Sequence, residues 1–299
     1  MHRYFLIPIL GFFGIICLFV FYLQFINEDW KFIVPKKKLP EVCNNNTNIE
    51  FVIHDEDYIQ GRNFKDSKDT ITGNQIHAIY LLPCEREDRK FDVKLNIEYS
   101  LLSINNWFFN KSLNQKLRFD INDQKNIDVT FLRVNKTMDW FDDKVTDKNS
   151  KKIDVSEKIK KIIHTNKDKF NNYHNKKFII FFEGWERRKY INFNICGKAD
   201  FDGNISIYYT YSRFKKYIGN EIILNNKKQM FTCTKNDHLN DINDLLFGDA
   251  EATILHELLH TLGMPPKCSK NLDNSKSHIT DSTQDIMHKE SGIRYLDYN

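Results

Sequence analysis

His256 and His260 stand four residues apart, with Glu257 directly after the first, in the stretch HELLHTLG at 256–263. On a helix, positions four apart lie one turn above each other on the same face, so both imidazoles can reach one ion. Zinc suits such a pair, since it takes imidazole nitrogens at roughly 2.0–2.1 Å in a tetrahedral arrangement. Glu257 would then lie beside the open coordination position. There a carboxylate can take a proton from a metal-activated water and pass it to a leaving amine. A five-letter pattern that fixes three positions also arises by chance, so its surroundings must carry weight.

Those surroundings predict the helix that the pattern needs. Residues 248–263 read GDAEATILHELLHTLG. Asp249 is the expected N-cap and Gly263 the expected stop. Ala252, Leu255, Leu259 and Leu262 form an apolar stripe, which puts the two histidines on an adjacent face. A catalytic zinc site takes three protein ligands plus water, so one more is required. The extended form of the signature has a histidine six residues after the second one, and this chain has Pro266 there. The glycine turn sends the chain back under the metal, where Cys268, His278, Asp281, Asp285 and His288 are the possible donors. His278 is the first assignment and Asp281 the alternative. If Asp281 is not a ligand, its expected role is to fix a histidine tautomer from behind.

HELLHTLG followed by SHITDSTQDIMH resembles the metzincin clan of zinc metalloproteases, with its glycine turn and Met-turn. More narrowly, it is similar to exported bacterial metzincin-like proteins. Their pattern is approximately H-E-L-L-H-x-L-G-A-x-P, a loop, then G-H-x-x-D-x-x-x-D-[LV]-[ML]-Y. On that pattern His278 is the loop histidine, Asp281 and Asp285 are the two aspartates, and Met287 is the Met-turn methionine. AIYLLPCEREDR, LRFDI with IDVTFLRV, and CGKADFDGNISIYY are similar upstream pieces, so the resemblance runs over about 75–299. It implies an α+β fold: a mixed twisted sheet, an active-site helix and a short C-terminal subdomain. It also implies Zn2+ as cofactor, a protein or peptide as substrate, and Glu257 as general base. His288 departs from the pattern, standing where a tyrosine often follows the methionine.

The elements that must position these residues form one domain, expected over 51–299. Strands are predicted at 75–83, 116–121, 127–134 and 176–184, and helices at 92–113 and 154–172. ISIYYTY (205–211) alternates like a half-exposed or edge strand, which could take up an extended peptide by strand addition. DFDGN (200–204) lacks a full calcium-loop pattern and reads as a turn.

Ahead of the domain, Tyr4 to Asn27 contains no charged residue. That run is long enough to cross a bilayer core of roughly 30 Å. It carries no small-residue cleavage pattern, so residues 1–27 read as an uncleaved signal-anchor and 28–50 as a juxtamembrane linker. The catalytic domain is then expected on the exported side, periplasmic or extracellular, or secreted if the segment is cut. Five cysteines follow the anchor, none in a C-x-x-C pair, which argues against a zinc ribbon and for disulfides in an exported domain. Cys196 and Cys233 bracket the strand at 205–211 and are the first pair expected. No obvious inhibitory cysteine-switch segment is visible, and Cys43, in the linker, is the one residue left open for that role. The formal charge of +4 is spread among Lys, Asp and Glu, which argues against a nucleic-acid partner. The competing class is a non-catalytic, zinc-stabilised exported binding domain. Glu257 favours the enzyme, because a purely structural site has no use for it.

Overall fold

The apolar runs at 75–83 and 176–182 lie side by side at the centre of a six-stranded sheet in the computed structural model of the chain. The structure describes residues 42–45, 48–143, 153–187, 194–210, 223–224, 227–228, 239, 247–282 and 284–288. The sheet contains β1 (Phe51–Val52), β2 (Gln75–Pro83), β3 (Val129–Val134), β4 (Lys176–Phe182), β5 (Gly197–Ala199) and β6 (Ile205–Tyr209). Their spatial order is β1-β3-β2-β4-β6-β5. The four inner strands are parallel and the two outer ones antiparallel. This is a mixed sheet, as expected, but helices and strands alternate along the chain, which makes the class α/β.

Both faces of the inner strands are covered, which explains their continuous apolar sequences. Ala78, Tyr80 and Leu82 point to one face, under α1 (Asn96–Lys111) and α4 (Asp249–Thr261). Ile79 and Leu81 point to the other, under α2 (Met138–Asp142) and α3 (Val155–Thr165). Buried Glu251 joins the two helices of the first face. One carboxylate oxygen accepts from Ser100 Oγ at 2.6 Å and the other from the Gly248 amide at 3.1 Å.

Three sequence expectations shift. ISIYY is an interior strand, paired with β4 on one side and β5 on the other and buried throughout. Its polar alternation is satisfied inside: Ser206 Oγ donates to the Phe178 carbonyl at 3.1 Å, and the Tyr209 hydroxyl donates to Glu186. The true edge beside α4 is β5. In α4 the N-cap is Gly248, with Asp249 as the first helical residue, and Leu262 is an exposed C-cap outside the apolar stripe. The helix predicted over 92–113 starts at Asn96, after Leu95 in left-handed conformation.

The end of the expected linker is docked on the sheet. Cys43 is disulfide-bonded to Cys84, at the end of β2, so its thiol is not available as an inhibitory ligand. Asn44 N–H donates to the Asn135 carbonyl at 3.0 Å, and Lys136 Nζ donates to the Asn44 carbonyl at 2.7 Å. Cys196 is also disulfide-bonded, and Cys233 lies outside the described residues. Among the described residues no helix is long and apolar enough to cross a membrane, and the run at 4–27 lies outside them. DFDGN is a turn, closed by Gly203 N–H on the Asp200 carbonyl at 3.0 Å.

Candidate metal centre

Helix α4 carries His256 and His260 on successive turns, and a loop returns His278 to them. The three offer donor atoms that all lie within 4.8 Å of one another. The His256 and His260 Nε2 atoms are 3.0 Å apart, and the His278 ring stacks on His256 at 5.3 Å between centroids. Glu257 faces β5 beside them.

The helix stop positions the first partner of the site. Gly263 is left-handed (φ 78°), its N–H bonding the His260 carbonyl and the Met264 N–H bonding the Leu259 carbonyl, both at 3.0 Å. This paired closure of a helix C-terminus is what glycine permits at little steric cost. It swings the Met264 carbonyl onto His260 Nδ1 at 3.0 Å. His256 Nδ1 likewise meets the Ile286 carbonyl, at 2.6 Å. A carbonyl only accepts, so each Nδ1 carries the proton and each Nε2 keeps its lone pair.

That assignment tests whether a metal fits. Two imidazole lone pairs facing each other at 3.0 Å repel unless a cation lies between them. Two nitrogens on one tetrahedral zinc would lie about 3.3 Å apart, given Zn–N of roughly 2.0–2.1 Å. Burial pushes the His256 pKa down to about 3, helped by its histidine neighbours. Burial also brings His260 down to about 4. Both rings are therefore neutral at physiological pH, as ligands must be. The donor set and its protonation fit zinc.

His278 is held by a turn that sequence reading missed. Asp273 Oδ1 accepts from the backbone N–H groups of Ser277 at 3.0 Å and His278 at 3.3 Å, and Asp273 Oδ2 lies 3.3 Å from His278 Nδ1. Its slight burial raises the Asp273 pKa, but hydrogen bonds from Ser275, Ser277 and His278 outweigh this and hold it far below the usual carboxylate range. Asp273 thus stands behind His278, with Ser277 Oγ 3.0 Å from the same Nδ1, whereas Asp281, expected in that place, is exposed and outside the cluster. The one signal available was its position in a polar turn just before a histidine, where an Asp side chain caps backbone N–H groups.

Asp285 and Met287 lie on the segment after His278. Asp285 Oδ1 accepts from the Met287 N–H at 2.8 Å, which shapes the turn that presents the Ile286 carbonyl to His256. Met287 is buried in the core cluster that includes Leu255 and Leu259 of α4, and its carbonyl accepts from the Ile279 N–H at 3.0 Å. Cys268 is an exposed free thiol outside the histidine cluster.

No family model matches the chain. No curated protein matches it either. Two crystal structures of OgpA from Akkermansia muciniphila are similar over 69% of this chain. The catalytically inactive form, in complex with the O-glycopeptide substrate glycodrosocin, is 10% identical with a TM-score of 0.36. The wild type is 12% identical with a TM-score of 0.34. This chain covers 51% and 52% of those two chains, about half their length.

Proposed function

We propose that the chain is a zinc-dependent metallopeptidase of metzincin type, with His256, His260 and His278 as ligands and Glu257 as general base. The observation that carries this reading is the convergence of three imidazoles, two of them forced by carbonyls to turn Nε2 inward. A zinc ion held there would polarise a peptide carbonyl and make a water acidic enough to attack it near neutral pH. Glu257 accepts the proton of the attacking water and returns it to the departing amine. Met287 packs beneath the helix, and Asp273 and the Met264 and Ile286 carbonyls keep the imidazoles in register.

The substrate is an extended peptide laid along β5. Cys196 O accepts from Tyr209 N–H at 3.0 Å, and Lys198 is paired with Ile207. In an antiparallel ladder the residues between such pairs turn their N–H and C=O away from the neighbour. Gly197 and Ala199 thus offer backbone groups on the outer side, next to Glu257, and fill the strand-addition role first expected of 205–211. The disulfides at Cys43–Cys84 and at Cys196 support an exported domain, which agrees with an anchor or signal at 1–27.

The test is zinc-loaded protein on a mixed peptide library, beside Glu257→Gln. The variant should keep stoichiometric zinc and lose about 10²–10⁴-fold in hydrolysis. A wild type that holds zinc tightly yet cleaves nothing would instead favour the non-catalytic binding domain.

A further inference from the structure

A glycine with no conformational reason to be glycine lies opposite Glu257. Gly197 opens β5, and its φ is outside the left-handed region that favours glycine. Any L-residue could adopt its backbone. What forbids a side chain is space. A Cβ placed on Gly197 would lie 2.4 Å from Glu257 Cγ and 2.8 Å from Glu257 Oε1, well inside van der Waals contact.

Either the strand or the Glu257 side chain would have to yield, and the strand is held on three counts. It pairs with β6 from Gly197 to Ala199, and the Cys196 carbonyl extends the pairing to Tyr209. Lys198, pointing to the opposite face, pairs with Asp154 at the N-cap of α3 and with Glu186. Cys196 is fixed by its disulfide. The Glu257 side chain can change its rotamer, so it is the side expected to move.

We infer that Gly197 is a positioning residue: its bare backbone is the surface against which the Glu257 carboxylate is seated. The inference rests on the peptidase reading for its catalytic consequence, but not for its geometry. A methyl group at 197 turns Glu257 away while leaving the histidines untouched. A misplacement of roughly 1 Å in a catalytic group is enough to lower the rate about 100-fold.

Gly197→Ala tests it in two independent ways. In a crystal structure of the metal-free variant, Glu257 should leave its place beside residue 197 while β5 and the three histidines stay fixed. In kinetics, kcat should fall about 100-fold with KM and zinc stoichiometry unchanged. If Gly197→Ala does not fold, Gly197→Ala/Glu257→Ala should, because the second change empties the contested space. An unmoved Glu257, a strand that shifts instead, a wild-type kcat, or a double variant that fails to fold would each overturn the inference. A wild type without peptidase activity would defeat the functional reading, and the crystal structure would still decide on the seat.

Discussion

Among the described residues, three groups of side chains have donor atoms within 4.8 Å of one another; one is the Cys43–Cys84 disulfide with His54, and the other two are built in opposite ways. One is His256, His260 and His278. The other is Asp66, His77, Asp120 and Asp128, at the N-terminal ends of the inner strands. In the acidic group the chain supplies its own cation. Lys176 Nζ lies 2.5 Å from Asp66 Oδ2, 2.8 Å from Asp69 Oδ1 and 2.5 Å from Asp120 Oδ2, and its side chain is fully buried. His77 bridges Asp120 and Thr130, both at 2.9 Å. Burial pushes Asp66 up to about 6 against the pull of His77 and Lys176. Burial would also raise Asp120, but His77 and Lys176 hold it low. In the histidine group the described protein contributes no cation among the ligands, only carbonyls and a carboxylate behind them. Proximity of donors therefore does not identify a metal site. What separates the two groups is the direction of the outer hydrogen bonds and whether an ammonium already fills the centre.

Breaking this contrast should have its largest effect on the acidic side. Lys176→Met leaves several carboxylates buried without their cation, and unfolding in urea should show a loss of about 3–5 kcal/mol. An unchanged midpoint would mean that Lys176 is not what balances the cluster. On the histidine side, His278→Ala should weaken zinc binding more than the roughly 10–100-fold typical of losing an outer partner. Competition with a chelator would measure it. Asp273→Asn should fall within that 10–100-fold range, and Asp281→Ala should leave affinity unchanged. An inverted order of these last two would return the orienting role to Asp281.

A separate effect is on pH dependence. His256 and His260 have folded-state pKa values depressed below the ordinary 6.5, so between there and about 4 the unfolded chain binds more protons. Their contribution to the stability of the metal-free protein is full above about 6.5 and declines as pH falls towards 4 and then 3. Urea midpoints of the metal-free protein should drop over that window, and less so in His256→Ala/His260→Ala.

How much of this was legible in the sequence differs by element. The long buried strands and α4 announced themselves, because burial on both faces and helical periodicity leave strong patterns. β2 matches the predicted run from Gln75 to Pro83. β5 was invisible: three residues, Gly-Lys-Ala, are too short to show alternation, and their meaning comes from what they lie against. β6 misled because its serine and tyrosines find their partners within the core, so an interior strand imitates an edge. In the site, the helix histidines were set by local spacing. Asp273 and the two carbonyls were not, because backbone groups carry no sequence signature and a turn aspartate gains its role from the fold of the loop.

The Cys43–Cys84 bond has a mechanical consequence. The chain enters the domain at Cys43 and is joined covalently to the end of the central strand 41 residues later. Tension applied to the chain before Cys43 passes through the sulfur bridge into β2, the strand with parallel neighbours on both sides. The segment ahead of that strand, 44–74, is bypassed by the bridge. A protease that cuts within 44–74 leaves the two sides of the cut connected, so the chain before Cys43 would stay joined to the domain after a nick that would separate them in an unbridged chain.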